Sequence, residues 1–415
     1  MSSSPASPAS PRPAPIHILF LLTQDLDSPS GLGRYWPVAR YLARRGHTVE
    51  IAALHPAWDT LARRDYEQDG VQIHYVAQMH VRRAGSRRTY FSPAALLWVT
   101  AWAALALARA AWRSRAEYIH IGKAQPMNGL AGWLAARLPR RRRLYLDCDD
   151  YEAESNHFGG GWQRRIVRWW EDRLPLVVRG VTVNTTFLRD RCRGLGVPAE
   201  RLRLVPNGYD PDRFPPPSAA QVAAVRHGWH VTDQPVILYL GSLSLSNHPV
   251  LLLLEAFALV LAQRPDARLC LVGGGEDYDR VAQAIGQRGL NASVRLTGPV
   301  PADQVPAVYA ASQVVVDPVE DDDTARARSP LKVVEALACG VSVVTGDVGD
   351  RAATLAGGVV GRLVRPGSAA ALADGLLSVL AETSGLARRA ELARQAGAAY
   401  RWDRLVSEFE SIYAG

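Results

Sequence analysis

The stretch Ser329-Pro330-Leu331-Lys332-Val333-Val334-Glu335-Ala336-Leu337-Ala338-Cys339-Gly340, running on as Val341-Ser342-Val343-Val344, governs how the rest of the chain is read. Its pattern predicts a loop that turns into a short helix, stops at Gly340 and continues as a buried strand. One carboxylate, Glu335, stands inside that otherwise apolar helix. Glutamates are mostly exposed, so a solvated helix face is one reading. The other is functional, because a carboxylate can accept two hydroxyl hydrogen bonds at once, which suits a ribose diol.

Outward from this segment, strand-like and helix-like runs alternate along the chain, which predicts an α/β fold with parallel sheets built from βαβ units. The strands fall at 16–23, 48–54, 71–76, 118–121, 143–147, 180–184 and 202–205, then at 236–240, 268–272, 293–296, 314–317, 341–345 and 359–363. A length of 415 residues accommodates two domains, each large enough for a full core. The Ser/Pro/Ala-rich residues 1–15 read as a disordered tail without a signal-peptide-length apolar stretch. A first domain then spans 16–207, a Pro- and Gly-rich linker 208–233 and a second domain 234–399, with 400–415 crossing back to the first.

Tandem parallel-sheet domains bind ligands where the C-terminal ends of their strands face each other, so the loops that follow strands carry the chemistry. Ser28–Arg34 offers Gly31 and Gly33, which let the backbone approach a phosphate or simply turn tightly; a dinucleotide fingerprint is absent, with no third Gly and no acid closing the second strand. His120–Lys123 ends a middle strand. Lys123 and Lys332 are the only two lysines beside 46 arginines, and both fall in such loops, although an exposed loop position also explains Lys123. Asp147-Cys148-Asp149-Asp150 gathers three acids that raise one another's pKa unless they are solvated, cap a helix or hold a ligand. Gly241–His248 follows the first strand of the second domain, and Glu320–Asp323 reads as a solvated acidic loop without metal-ligand spacing.

The run SPLKVVEALACGVSVV resembles the donor-site segment of retaining glycosyltransferases with the two-domain GT-B fold, family 4 above all, whose usual form is E-G-F-G-L-x-x-x-E-A-M-A-x-G-x-P-V-V. The resemblance implies two Rossmann-like domains with parallel sheets facing a central cleft. It gives Glu335 the nucleotide ribose, the amides near Ser329, Leu331 and Lys332 the sugar diphosphate together with the Gly31–Gly33 loop, and Gly298 to Val300 the base. Pro206-Asn207-Gly208-Tyr209-Asp210 resembles the family's P-N-G-x-D hinge. Three departures stand out. The first Glu of the pattern falls on Ala327; the family's G-R-L-x-x-x-K has Ser242 in place of Arg and His248 nearest the Lys; and Asp149 or Asp150 stands where family members commonly have a His that contacts the donor sugar. Arg328 and Lys332 could supply the missing cations for the leaving diphosphate, or could pair with Glu320–Asp323. The candidate catalytic residues are thus Asp149, Asp150, Arg328 and Lys332; the candidate donor-binding residues are Gly31, Gly33, Ser242, His248, Gly298, Val300, Ser329, Leu331 and Glu335.

The resemblance implies a metal- and cofactor-independent glycosyltransferase moving a sugar from a nucleotide-diphosphate donor to a glycan or lipid-linked acceptor, with a catalytically silent relative as the alternative and a two-domain dehydrogenase a distant third. Charge is uneven: residues 1–210 hold 30 Arg and Lys against 18 Asp and Glu, the remainder 18 against 22. An anionic partner of the first half is expected, an acidic membrane surface or acceptor, and not nucleic acid, since no recognised binding motif accompanies the arginines. Four scattered cysteines suggest neither zinc nor a disulfide framework and fit a reducing cytoplasm. The apolar run Ala94–Trp112, opened by Ser92 as cap and Pro93, reaches the lower length for a membrane span but reads better as a core or surface helix, a surface position leaving contact with a membrane open.

Overall fold

The computed structural model describes residues 14–414 except 29, 85–86, 138–141, 157 and 159; most of the expected N-terminal tail lies outside them. The first domain is built on strands β1 (His17–Leu22), β2 (Thr48–His55), β3 (Asp65–Gln68), β4 (Val71–Gln78), a hairpin of β5 (Val81–Ala84) and β6 (Arg87–Tyr90), β7 (Tyr118–Gly122), β8 (Arg143–Cys148), β9 (Gly180–Val183) and β10 (Leu202–Leu204). Its main sheet runs in the order β10-β9-β8-β7-β1-β2-β4-β3, every pair parallel except β3 with β4. The second sheet comprises β11 (Val236–Leu240), β12 (Arg268–Val272), β13 (Val294–Gly298), β14 (Val314–Asp317), β15 (Ser342–Gly346) and β16 (Gly361–Val364), ordered β13-β12-β11-β14-β15-β16 and parallel throughout.

The central strand β1 shows why its sequence is apolar without a break: side chains alternate between two covered faces. Leu19 and Leu21 enter the core under the helices Pro93–Arg113 and Pro126–Ala136, whereas Ile18, Phe20 and Leu22 face the helices Trp36–Arg44 and Trp402–Ser411. The closing helix is pinned there by Phe409, whose ring stacks on His120 at 4.9 Å, and by Tyr413, whose hydroxyl meets His120 Nδ1 at 2.8 Å.

Two elements have no counterpart among the strands expected from sequence. β3, Asp-Tyr-Glu-Gln, is an exposed antiparallel edge without apolar alternation, and charged residues suit an unprotected edge. The β5–β6 hairpin is Arg-rich and equally lacks apolar alternation in its sequence. Ser92 does precede the long helix, but its side chain makes no capping hydrogen bond. That helix, the only one among the described residues long and apolar enough to cross a membrane, buries Ala103, Leu107 and Ala111 against the first domain and turns Leu97, Trp98, Trp102, Leu105 and Trp112 outward.

The chain crosses between domains twice, and the crossings pair with each other. Tyr209 donates its amide to the Tyr400 carbonyl (2.9 Å) and Trp402 donates to that of Tyr209 (3.0 Å). At Gly208 a Cβ would overlap the Tyr400 carbonyl oxygen, so only glycine allows the strands this close. The linker is anchored by Asp210, which pairs with Arg40 and accepts from Tyr41 Oη at 3.1 Å.

Candidate active site

On the second domain, the helix Leu331–Ala338 begins after Pro330, and the amides of its first turn have no acceptor within the helix, as at any helix start. Such amides favour an anion. Glu335, one turn in, is half-buried, and its Oε2 accepts from Tyr309 Oη at 2.9 Å. The plain solvated face is therefore excluded: burial pushes the Glu335 carboxyl up, and the Tyr309 hydroxyl and Arg213 oppose that rise. One carboxylate oxygen is oriented by Tyr309, leaving the other for a ligand. Glu335→Ala is expected to weaken nucleotide-sugar binding by about 1–3 kcal/mol, the range for hydrogen bonds to a charged partner; unchanged affinity by calorimetry with the fold intact would remove Glu335 from the donor site.

Lys332 is buried beneath the loop after β11. Its Nζ lies 4.3 Å from the centre of the Tyr239 ring and 3.2 Å from Asp317 Oδ1, without hydrogen-bond geometry to any group. A Cβ at Gly241 would stand 3.3 Å from that Nζ, so glycine leaves the ammonium room beneath the loop. Burial lowers the Lys332 pKa, and Asp317 restrains the fall. Asp317, at the end of β14, also accepts from Arg351 Nε (2.9 Å) and Thr345 Oγ1 (3.1 Å); burial alone would raise its carboxyl, but Lys332 and Arg351 hold it far below the usual range.

Neither expected cation binds the acidic loop. Arg326 does so, through Asp321 and Asp323, while Arg328 donates to the Asn247 carbonyl (2.5 Å) and Asn247 Oδ1 (3.0 Å) in the loop after β11. His248 is half-buried near Tyr239; burial first, then Lys332 and Arg328, push its pKa down to about 2. It is a neutral imidazole and cannot replace a lysine's charge. Ser242 is exposed and offers its carbonyl to Tyr239 Oη at 2.6 Å. Gly298 closes β13 with φ +76°, its carbonyl accepting from the Gly273 amide at 2.9 Å, and Val300 packs on the second core two residues on.

The first domain meets this loop directly. Gly33 lies where a Cβ would overlap Leu331 Cδ1, while a Cβ at Gly31 would overlap the Asp25 carbonyl oxygen, so both glycines serve close packing as the chain enters the helix at Trp36. Ser329 binds the hinge: its Oγ accepts from the Asn207 amide at 3.0 Å and its carbonyl from Asn207 Nδ2 at 2.9 Å. Arg34, which sequence reasoning passed over, grips Asp147 with two 2.6 Å hydrogen bonds and reaches Asn207 Oδ1 at 3.1 Å. Asp147 is thereby neutralised and structural.

The other two acids separate. Asp150 is engaged locally, accepting from the Tyr151 amide (2.9 Å) and Ser155 Oγ (2.7 Å). Asp149 is buried, with Oδ1 3.3 Å from Lys123 Nζ and no hydrogen bond to it. Burial raises its pKa to about 7, with Lys123 opposing and Asp147 and Glu152 reinforcing. Lys123, held at φ +69°, completes the group through Glu152 Oε1 at 2.8 Å. Four of the buried polar atoms without a hydrogen bond, Asp149 Oδ1, Tyr35 Oη, Asn184 Oδ1 and Gln24 Nε2, lie on residues in or just beyond the segments that leave β1, β8 and β9. A polyhydroxylated ligand is suited to satisfy such atoms.

Residues 234–382 match the family described as glycosyl transferases group 1, and residues 30–208 match the glycosyl transferase 4-like domain. The chain is 29% identical to the GDP-mannose-dependent alpha-(1-6)-phosphatidylinositol monomannoside mannosyltransferase of Mycolicibacterium smegmatis over 60% of its own length and 63% of that protein's. With the D-inositol 3-phosphate glycosyltransferase of Xylanimonas cellulosilytica it shares 27% identity over 96% of each chain. Among solved structures, sucrose-phosphate synthase from Thermosynechococcus elongatus superposes with a TM-score of 0.77 at 20% identity, covering 96% of this chain and 98% of that one. Anabaena HepE in complex with UDP-glucose gives 0.72 at 21%, covering 96% and 100%. Two parallel sheets joined by a paired hinge, the helix carrying Glu335 and these matches along both domains together make the chain a member of the group 1 glycosyltransferases with the GT-B fold, transferring a sugar from a nucleotide sugar to an acceptor.

Proposed function

We propose that this enzyme transfers a hexosyl residue, with retention, from a nucleotide-diphosphate donor to a lipid-linked, inositol-bearing or envelope-glycan acceptor, working from the cytoplasmic face of an anionic membrane. The observation that carries the donor half is Lys332: a buried ammonium paired with Asp317 at 3.2 Å, under Gly241 and one turn before Glu335. With Arg328 it offers positive charge where the diphosphate leaves, in the absence of the family's Arg and Lys at 242 and 248. The names of the two curated relatives, which act on phosphatidylinositol mannoside and inositol 3-phosphate, support an acceptor of that chemistry.

Exposure favours the membrane half. Trp98, Trp102 and Trp112 are 72%, 55% and 65% exposed along one stripe of the helix Pro93–Arg113, and Trp162, Ile166 and Trp169 form a second stripe on the helix Gly161–Val177, beside exposed Arg165 and Arg173. Large apolar stripes of this kind on a soluble domain mark an interaction surface, and tryptophan with arginine suits a headgroup interface. Arginines near an anionic leaflet contribute roughly 1 kcal/mol each. Sedimentation with vesicles containing phosphatidylinositol, in the presence of a panel of nucleotide hexoses, tests both halves. Binding is expected to rise with anionic lipid, fall with salt and drop about tenfold in Trp98→Ser/Trp102→Ser/Trp112→Ser, and one donor should yield a hexosylated lipid or glycan by mass spectrometry. Indifference to lipid and salt would retire the membrane reading; failure of every donor to protect or turn over would retire the donor reading.

A further inference from the structure

Among the described residues, two hydrogen-bonded contacts away from the hinge tie the domains across the cleft, and both have the same physical character. The carbonyl of Ser155 ends the short helix Glu152–Ser155, and the amide of Thr186 begins the helix Thr186–Gly194; helix ends leave such groups without partners of their own. The second domain supplies them. Asn247 Nδ2 donates to the Ser155 carbonyl at 3.1 Å, and Asp350 accepts from the Thr186 amide at 2.8 Å and from the Thr186 hydroxyl. Asn247 does more: its carbonyl and Oδ1 are the two groups that hold the Arg328 guanidinium. Asp150 holds the other side, since it accepts from the Tyr151 amide and from the hydroxyl of Ser155, the residue that presents its carbonyl to Asn247.

We propose that Asn247 and Asp350 form a two-point clasp across the cleft, and that Asn247 is a positioning residue through which domain closure orients Arg328. When the domains part, water can take all three first-domain groups, so the clasp is reversible. When they close, the Asn247 side chain is pinned by Ser155, and the same amide fixes Arg328. The Asn247 carbonyl holds Arg328 within the second domain whether the cleft is open or closed; closure adds the pin on the Asn247 side chain, so the second hydrogen bond to the cation is fixed in the closed complex, where the leaving group needs it. The second half of this inference rests on the reading of Arg328 as a diphosphate cation; the clasp itself does not.

Small-angle scattering of the full chain, with GDP or UDP as probe, reads closure independently of turnover. Asn247→Asp keeps an acceptor for Arg328 but loses the donor to Ser155, and Asp350→Ala loses the second point. Both are expected to show a larger radius of gyration than the wild type with nucleotide, and kcat lowered about tenfold with the nucleotide Kd changed less. Thr186→Ser, which retains the hydroxyl, should close normally. Scattering from Asn247→Asp and Asp350→Ala that superimposes on the wild type would overturn the clasp, and open scattering with unchanged kcat would overturn its link to Arg328. Normal turnover in Arg328→Ala alongside open clasp variants would instead sink the cation role and leave the clasp standing.

Discussion

Replacing Arg328 and Lys332 together by alanine is expected to lower kcat by about 10²–10³-fold, the range seen when preorganised charge is removed from a developing anion, while donor affinity falls much less. The effect is electrostatic. His248 is neutral, Ser242 carries no charge, and Arg326 and Arg351 are engaged with the acidic loop and with Asp317. Arg328 and Lys332 are then the cations whose side chains come to the loop Gly241–His248. Single-turnover measurements separate binding from chemistry; a double variant with wild-type kcat would move the search to Lys123 and Asp149 on the facing domain.

The strands, the hinge and the helix around Glu335 were legible in the sequence because each is signalled locally, by apolar runs, by Pro-Asn-Gly and by one acid in an apolar helix. Boundaries moved by a residue or two: the strand expected at 341–345 runs Ser342–Gly346, since Val341 still belongs to the helix-terminating turn at Gly340. The environment of the site was not legible. Lys332 stands out as one of two lysines, but Asp317, which pairs with it, and Arg351 and Thr345, which hold Asp317, lie on other elements and carry no local pattern. Tyr309 is 26 residues from Glu335 and reads as a core aromatic. The acid cluster misled for the opposite reason. Asp147, Asp149 and Asp150 are neighbours in sequence, yet three different surroundings, Arg34, Lys123 and the Tyr151–Ser155 segment, divide them into a structural ion pair, a buried acid near neutrality and a locally hydrogen-bonded carboxylate.

Asp317→Asn has the second large expected effect, on stability and on pH dependence at once. The carboxylate is 2% exposed and faces two cations, Lys332 and Arg351. Removing one partner of a buried charged group leaves uncompensated charge, which costs about 3–5 kcal/mol. The sign follows from the depressed pKa: Asp317 contributes stability above the ordinary carboxylate value, and that contribution is lost as pH falls through its lower folded value. The gap between wild type and variant in urea denaturation should therefore be widest near neutral pH and narrow in acid. Turnover should respond on the other side. Burial already lowers the Lys332 pKa, with Asp317 the largest opposing influence; without that carboxylate the ammonium loses its proton at lower pH, and the alkaline limb of kcat moves toward neutrality. Lys332→Arg, whose guanidinium stays protonated, combined with Asp317→Asn should restore the alkaline limb. An unshifted limb in Asp317→Asn, with the protein folded, would mean that the charge on Lys332 takes no part in the reaction.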